Sequence, residues 1–326
     1  MTEKNKSRYV TRLASIVVSL VICAQVSAQG MSYSQTEGWA QLPEGFEWGQ
    51  VIAVDVDADG NVYAFHRCSS TSCVDRDEPP LLKFDSSGQH LMSWGSGMLV
   101  WPHGLDVDAE GNVWITDGRP DSGRGEQVIK IGADGEVLMT VGTAGVAGDG
   151  HNTFDGVSDV EVAANGNIFV ADGHGNNRIV KFSPEGEFIT EWGTAGSAPG
   201  EFNQPHALAM DSEGRLFVAD RENLRIQIFD QDGNFIDAWS QFGRVSGISI
   251  SADDTLYVAA QNDAYPEFET AIYVVSAKDG AIKSVIGDVY TESVAADSNG
   301  SVYTGIRGRT GEPQVSVDAL QRFAVQ

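Results

Sequence analysis

The architecture of this chain is contained in the stretch Asp211-Ser-Glu-Gly-Arg215 and the residues directly after it, Leu216-Phe-Val-Ala219. A polar turn with a glycine precedes a run of apolar, β-branched and aromatic residues, which is typical of a β-hairpin. A second turn, Gln231-Asp-Gly233, separates a third strand (Ile226–Phe229) from a fourth (Phe235–Trp239). One unit of about 40–50 residues therefore contains four strands.

The same unit recurs along the whole chain. Repeated antiparallel four-stranded units predict an all-β fold, a six-bladed β-propeller, and no sustained helical period is present. The sixth unit ends after its third strand, near Leu320–Val325, so we expect an N-terminal strand around Gly38-Trp-Ala-Gln-Leu42 to complete it and close the ring. The six first turns are Asp57-Ala-Asp-Gly-Asn61, Asp108-Ala-Glu-Gly-Asn112, Ala163-Ala-Asn-Gly-Asn167, Asp211-Ser-Glu-Gly-Arg215, Ser251-Ala-Asp-Asp-Thr255 and Asp297-Ser-Asn-Gly-Ser301.

The N-terminus has the pattern of a secretory leader. Basic residues precede an apolar run from Leu13 to Ala24, and Val26-Ser-Ala28 supplies the small residues of a cleavage site. We expect a signal peptide over 1–28 and a single propeller domain over 29–326, in a periplasmic or secreted protein. An uncleaved membrane anchor is the alternative.

The composition limits the partners. The net charge is −25, and removal of a leader carrying +3 leaves −28. Such acidity argues against binding to nucleic acid or to anionic membranes, and we expect a monomer that acts on a small molecule or a peptide. In an exported protein Cys68 and Cys73 predict a small loop disulfide.

Comparing the repeats with one another singles out candidate metal ligands. The first position of each inner strand should face the central channel, and three of these positions carry metal-competent side chains. His103, His206 and Glu292 fall in blades two, four and six, about 120° apart, and their ligand set suits catalytic zinc or, equally by chemistry, ferrous iron; we favour zinc. The six positions are Ile52, His103, Ser158, His206, Ser246 and Glu292.

The loops after the second strands carry three candidate catalytic residues, Arg67, His174 and Arg221. The arginines could hold a substrate carboxylate, and the histidine could act as general acid or base. Arg119 and Arg307 lie at the same face. Local ion pairs for the arginines and an exposed turn position for His174 are the alternatives.

At these residues the chain resembles the NHL-repeat propellers, and in particular the peptidyl-α-hydroxyglycine α-amidating lyase family. Trp101-Pro-His-Gly-Leu105 and Gln204-Pro-His-Ala-Leu208 resemble two zinc-histidine motifs of that family. Phe65-His-Arg67, in the segment that begins at Gly49-Gln-Val-Ile-Ala-Val54, and Ala219-Asp-Arg-Glu-Asn223 resemble its two substrate-arginine segments. The resemblance covers nearly all of the chain after the leader.

Three positions depart from the family pattern. The resemblance places the third zinc histidine at Glu292 and the catalytic tyrosine at His174. The aspartate of a structural calcium site falls at Ser293, although carbonyl groups of Val54 and Leu105 could still contribute to it. The family's disulfides have no counterparts here.

The sequence therefore favours a metal-dependent lyase that cleaves an N-acyl- or peptidyl-α-hydroxyglycine to an amide and glyoxylate. A metal-dependent hydrolase of lactones or esters, and a propeller that binds a ligand without catalysis, are the alternatives, because the fold alone supports all three.

Overall fold

A computed structural model describes residues 31–308 and 318–326, and these form six four-stranded antiparallel sheets. Each innermost strand contacts the innermost strand of the next sheet, and the last contacts the first, so the sheets form a closed ring. The prediction of an all-β six-bladed propeller is confirmed. In the described residues the helical structure is one 3₁₀ turn, Arg221–Asn223, and no helix has the length and apolar character needed to cross a membrane. The expected leader over 1–28 lies outside the described residues.

In blades one to five the chain adds four consecutive strands from the channel outward, whereas blade six combines the last three strands with the N-terminal strand β1. Blade one has β2 (Gln50–Val56), β3 (Val62–Arg67), β4 (Leu81–Phe84) and β5 (His90–Trp94); blade two has β6 (Pro102–Val107), β7 (Val113–Asp117), β8 (Gln127–Ile131) and β9 (Val137–Val141); blade three has β10 (Val157–Val162), β11 (Ile168–Asp172), β12 (Arg178–Phe182) and β13 (Phe188–Trp192). Blade four has β14 (Pro205–Met210), β15 (Leu216–Asp220), β16 (Arg225–Phe229) and β17 (Phe235–Trp239); blade five has β18 (Val245–Ile250), β19 (Thr255–Ala260), β20 (Ala271–Ser276) and β21 (Ile282–Gly287); blade six has β22 (Ala295–Ala296), β23 (Val302–Gly305), β24 (Leu320–Val325) and β1 (Tyr33–Thr36).

The repeated polar turns are closed by their own first side chain. Asp57 Oδ1 accepts hydrogen bonds from the backbone amides of Asp59 (3.0 Å) and Asn61 (2.8 Å). The same pair of bonds forms at the aspartates that begin the turns of blades two, four and six. A carboxylate that satisfies two turn amides explains why aspartate recurs at this position.

The ring is closed by an N-terminal strand, as expected, but by different residues. The strand is Tyr33–Thr36, which pairs with β24, and not the expected Gly38–Leu42. Gly38 has a positive φ of 59° and turns the chain away from blade six. Trp39 then packs between Tyr303 of blade six (5.0 Å between ring centroids) and Phe84 of blade one (6.0 Å). The apolar signal at Trp39 therefore marks the joint between two blades.

The inner strands of blades one to five share a backbone irregularity next to the channel. In each, the pairing with the second strand shifts register at the position that the repeat alignment singled out. A β-bulge re-aims the side chain that it carries. This irregularity directs one residue per blade toward the axis.

Candidate functional site

The aligned first positions of the six inner strands all line one narrow axial channel, so the predicted ring is confirmed: Ile52, His103, Ser158, His206, Ser246 and Glu292. Five of the six lie in strands. Glu292 precedes the short strand β22, and the adjacent Thr291 and Thr304 hydroxyls anchor this segment by hydrogen bonds to the carbonyl of Ser293. The blade register read from the turns therefore places the axial residues correctly.

Three histidines meet where the channel opens. His103, His174 and His206 each offer one ring nitrogen, and these atoms lie within 4.8 Å of one another. Sequence comparison placed His103 and His206 together on the axis but assigned His174 to catalysis. The structure brings all three into one group that could hold a metal ion.

The hydrogen bonds of the two axial histidines fix their tautomers. His103 Nδ1 donates to the carbonyl of Ser158 (2.7 Å), and His206 Nδ1 donates to the carbonyl of Ser246 (2.6 Å). Each Nε2 therefore presents a lone pair, and a backbone carbonyl behind the ring is the usual support of a metal-binding histidine. Both residues fit the requirements of metal ligands.

His174 is held differently. Its loop approaches blade four closely because residue 173 is glycine; a Cβ there would collide with the carbonyl oxygen of Pro205. Gln204 Nε2 donates to His174 Nδ1 (2.7 Å), so the ring proton is on Nε2, which lies 3.0 Å from Nε2 of His103. His174 thus presents a proton, rather than a lone pair, toward the axis.

Glu292 lines both the channel and the mouth above it. Its carboxylate forms an ion pair with Arg307, and it does not belong to the close group of three histidines.

A cavity of about 420 Å³ opens above the histidines and is lined mainly by polar and cationic side chains. The loop closed by the Cys68–Cys73 disulfide, which has a Cα–Cα distance of 4.8 Å, supplies Ser70 and Thr71 to its wall. The predicted loop disulfide is thus present, and it lies at the mouth. The predicted gathering of arginines at one face is also present, with one more member than expected: Arg67, Arg119, Arg221, Arg244 and Arg307 line this cavity.

The two predicted catalytic arginines are buried beside the histidines. Arg221 Nη1 donates to His206 Nε2 (2.5 Å), and its Nε lies 3.3 Å from a carboxylate oxygen of Glu222, so the local ion pair considered as an alternative does form. Arg67 donates to the carbonyl of Pro102 (3.1 Å) and to the side chain of Gln50 (3.2 Å). Both guanidinium groups are held in place without closing the cavity.

Burial and the repulsion of neighbouring positive charges lower the pKa values of the three histidines and of Arg67 and Arg221. Burial, followed by the charges of Arg221, Arg67 and Arg119, lowers the pKa of His174 to about 3. Burial lowers the pKa values of His103 and His206 well below their usual range as well. Burial and neighbouring arginines lower the pKa of Arg67 to about 9. The histidines are therefore neutral at pH 7, as metal binding requires.

Four residues around the histidines were missed, and they share one position. Trp101, Gln204 and Arg244 each lie two residues before the axial residue of their blade, and Gln50 does so in blade one. The same repeat alignment, shifted by two residues, would have found this second ring.

The position expected to affect calcium binding lies deeper in the channel. Ser293 lines it together with Val54 and Leu105, and the Ser293 hydroxyl is buried without a hydrogen-bond partner among the described residues. The structural calcium site stays a prediction.

The fold and site define a six-bladed propeller with a histidine cluster beneath an arginine-lined mouth. The NHL repeat sequence model matches residues 202–229, which span the end of the segment before β14 through β16. NHL repeat-containing protein 3 of Homo sapiens is 36% identical over 242 residues, which cover 70% of this chain and 67% of that protein. The chain belongs to this family of NHL-repeat propellers.

Two further relatives carry enzymatic names. Peptidyl-alpha-hydroxyglycine alpha-amidating lyase 1 of Drosophila melanogaster is 37% identical over 216 residues, covering 57% of this chain and 39% of that protein. Peptidyl-glycine alpha-amidating monooxygenase A of Xenopus laevis is 34% identical over 291 residues, covering 79% of this chain. The chain spans only 30% of the length of the Xenopus protein.

Proposed function

We propose that this protein is an exported, metal-dependent lyase that cleaves the C–N bond of an N-acyl- or peptidyl-α-hydroxyglycine and releases an amide and glyoxylate. The observation that carries the proposal is the meeting of three neutral histidines and several arginines in one cavity. Similarity to a protein named an amidating lyase supports the reaction class. The leader-like N-terminus and the Cys68–Cys73 disulfide support export, since disulfides persist in oxidising compartments.

His103 and His206 would hold the metal through Nε2, in place of their contacts with His174 and Arg221, and Glu292 or His174 would supply the third protein ligand. Zinc is the favoured ion, and ferrous iron has the same preference for this donor set when the third ligand is a carboxylate. When bound, the metal would lower the pKa of a substrate hydroxyl group. The protein would act as a monomer on a small carboxylated substrate or a peptide.

The arginines and His174 have separate tasks in this reaction. Arg67 and Arg221 hold the substrate carboxylate by charge-assisted hydrogen bonds. With Glu292 as the third ligand and the ring proton of His174 moved to Nδ1, His174 would take the hydroxyl proton at Nε2. It would return this proton to the departing nitrogen while the carbonyl of glyoxylate forms and the C–N electron pair stays on nitrogen. The substrate hydroxyl thus loses the proton that the amide gains.

The negative charge of the substrate would raise the pKa of His174. In the free site the positive charges of Arg221, Arg67 and Arg119 contribute to the low pKa of His174. A carboxylate bound to Arg67 and Arg221 would offset their field and raise the pKa of His174 above its value in the free site, while burial, the larger cause, would still hold it low. A substrate without the carboxylate would leave His174 a weaker base.

Metal analysis of the purified protein tests the metal-binding part. We expect about one equivalent of zinc, lost in His103→Ala and in His206→Ala and kept in His151→Ala, an exposed histidine stacked on Phe188. Glu292→Gln and His174→Asn then distinguish the two candidate third ligands. A metal-free protein that gains no metal on addition of zinc or iron would contradict the proposal and favour a non-catalytic binding propeller.

Glyoxylate release from an N-acyl-α-hydroxyglycine tests the reaction. We expect release that depends on protein concentration and disappears in His206→Ala. If the protein binds metal and hydrolyses lactones or esters but releases no glyoxylate, the lyase proposal is wrong and the hydrolase is the function.

A further inference from the structure

The arginines of the mouth are not equally neutralised. Arg244 lies 2.7 Å from a carboxylate oxygen of Glu222, which Arg221 shares, and Arg307 pairs with Glu292. Over 31–308 and 318–326, neither Arg67 nor Arg119 has a carboxylate oxygen within 4.0 Å, although the protein as a whole carries a net charge of −25. Two positive charges at the mouth therefore lack an anionic partner in the described part of the chain.

A tryptophan holds these two charges close together. The guanidinium carbons of Arg67 and of Arg119 each lie 4.2 Å from the centroid of the Trp101 ring, so they are at most twice that distance, 8.4 Å, apart. Cation–π contact to the aromatic face positions both groups without neutralising either. Within the cavity of the mouth, Arg67 is buried beside the histidines, whereas Arg119 is exposed to solvent.

The wall around Arg119 suits a polar ligand. Ser70 and Thr71, in the disulfide-closed loop, line the same cavity, and Trp101 is the one large apolar side chain among its described lining residues. An apolar acyl chain would find little surface to bury here. A second anion would find an unpartnered guanidinium and two residues with hydroxyl side chains.

We propose that the mouth selects substrates with two anionic groups. The α-carboxylate binds between Arg67 and Arg221, and a second carboxylate, on the acyl part of the substrate, binds Arg119. The substrate class is thus an acidic N-acyl-α-hydroxyglycine, or a peptide whose residue before the hydroxyglycine is acidic. The identity of the first anion, the α-carboxylate, rests on the proposed function. The second anion is inferred from the residues that line the mouth.

Calorimetric titration with two non-reactive analogues tests the inference. N-acetylglycine carries one carboxylate, and N-succinylglycine carries two; both lack the reactive hydroxyl group. We expect the metal-containing protein to bind the dianion at least about 10-fold more tightly at matched ionic strength, since a charge-assisted hydrogen bond contributes about that much. In Arg119→Gln the ratio of the two affinities should fall below about twofold.

Arg124→Gln is the matched control. Arg124 is near in sequence, pairs with Asp121 and lies outside the cavity, so this variant should keep the preference for the dianion while losing the same charge. Equal affinity for the two analogues, no binding of either, or a preference that survives in Arg119→Gln would overturn the inference. A dianion preference without glyoxylate release would instead retain the inference and refute only the proposed reaction.

Discussion

Replacement of Asp220 by asparagine should destabilise the blade that carries Arg221. Asp220 ends β15 with no solvent exposure, and its carboxylate accepts hydrogen bonds from the amide of Asn203 (2.7 Å) and from Arg225 Nε (2.7 Å). The side chains of Asn223 (2.8 Å) and Gln227 (3.1 Å) donate to the same carboxylate. One buried charge therefore connects the loop before β14, the turn that carries Arg221 and two strands.

The expected loss follows from the number of donors. Asparagine retains one acceptor oxygen, and its amide group replaces the second carboxylate oxygen. Oδ2 accepts three of the four hydrogen bonds, so the asparagine oxygen should take its place and the new amide group should face the Asn203 amide at Oδ1. One buried donor without an acceptor and the loss of the charge that pairs with Arg225 cost about 3 kcal/mol together. With an unfolding entropy of about 2.1 cal/mol/K per residue and roughly 290 folded residues, the Tm should fall by about 5 °C.

Thermal unfolding followed by circular dichroism measures this loss, and Asp230→Asn provides the control. Asp230 lies in a surface turn of the same blade and accepts hydrogen bonds from Asp232 and Asn234, so the control removes the same negative charge without opening a buried site. We expect its Tm to change by less than about 2 °C. Similar Tm values for the two variants would show that the buried carboxylate does not stabilise this blade.

Two further changes test the ring and its axis. Trp39→Ala should cost about 4 kcal/mol and lower the Tm by about 7 °C, because Trp39 is buried between the first and last blades. Phe235→Ala, at an exposed ring, should change the Tm by under about 2 °C, and equal shifts would contradict the joint described above. Burial raises the pKa of Asp159 to about 7, well above its unfolded value, so between about pH 4 and pH 7 the folded state binds more protons and loses stability as the pH rises. Asp159→Asn, which can still accept the hydrogen bond from the Leu208 amide, should therefore raise the Tm more at pH 8 than at pH 5, and an equal change at both pH values would refute this assignment.

The repeat made the fold and the axial residues predictable from sequence. Turns closed by aspartate, such as the one at Asp57, have fixed spacing, so inner-strand positions could be aligned without coordinates. The closing strand was assigned to the wrong residues because Tyr33-Ser-Gln-Thr36 is largely polar and half exposed, whereas the nearby Trp39 supplies the stronger apolar signal.

The side-chain network of the site could not be read in the same way. That His174 joins His103 and His206 depends on the close approach permitted by Gly173 and on the hydrogen bond from Gln204, which are contacts between blades. A comparison of equivalent positions could not predict the pairing of Glu292 with Arg307 either, because these residues occupy non-equivalent positions of blade six.

Because the shared bulge fixes the backbone at the axis, the axial side chains can change without changing the strand pairing that stabilises the propeller. Its main-chain path is already present at Ser158 and Ser246, where small side chains now face the channel. A histidine at either serine would start from a backbone that already points inward, so the number of donors at the axis can grow or shrink by single substitutions. Related proteins could thus differ in the reaction that they catalyse while every strand pairing stays the same.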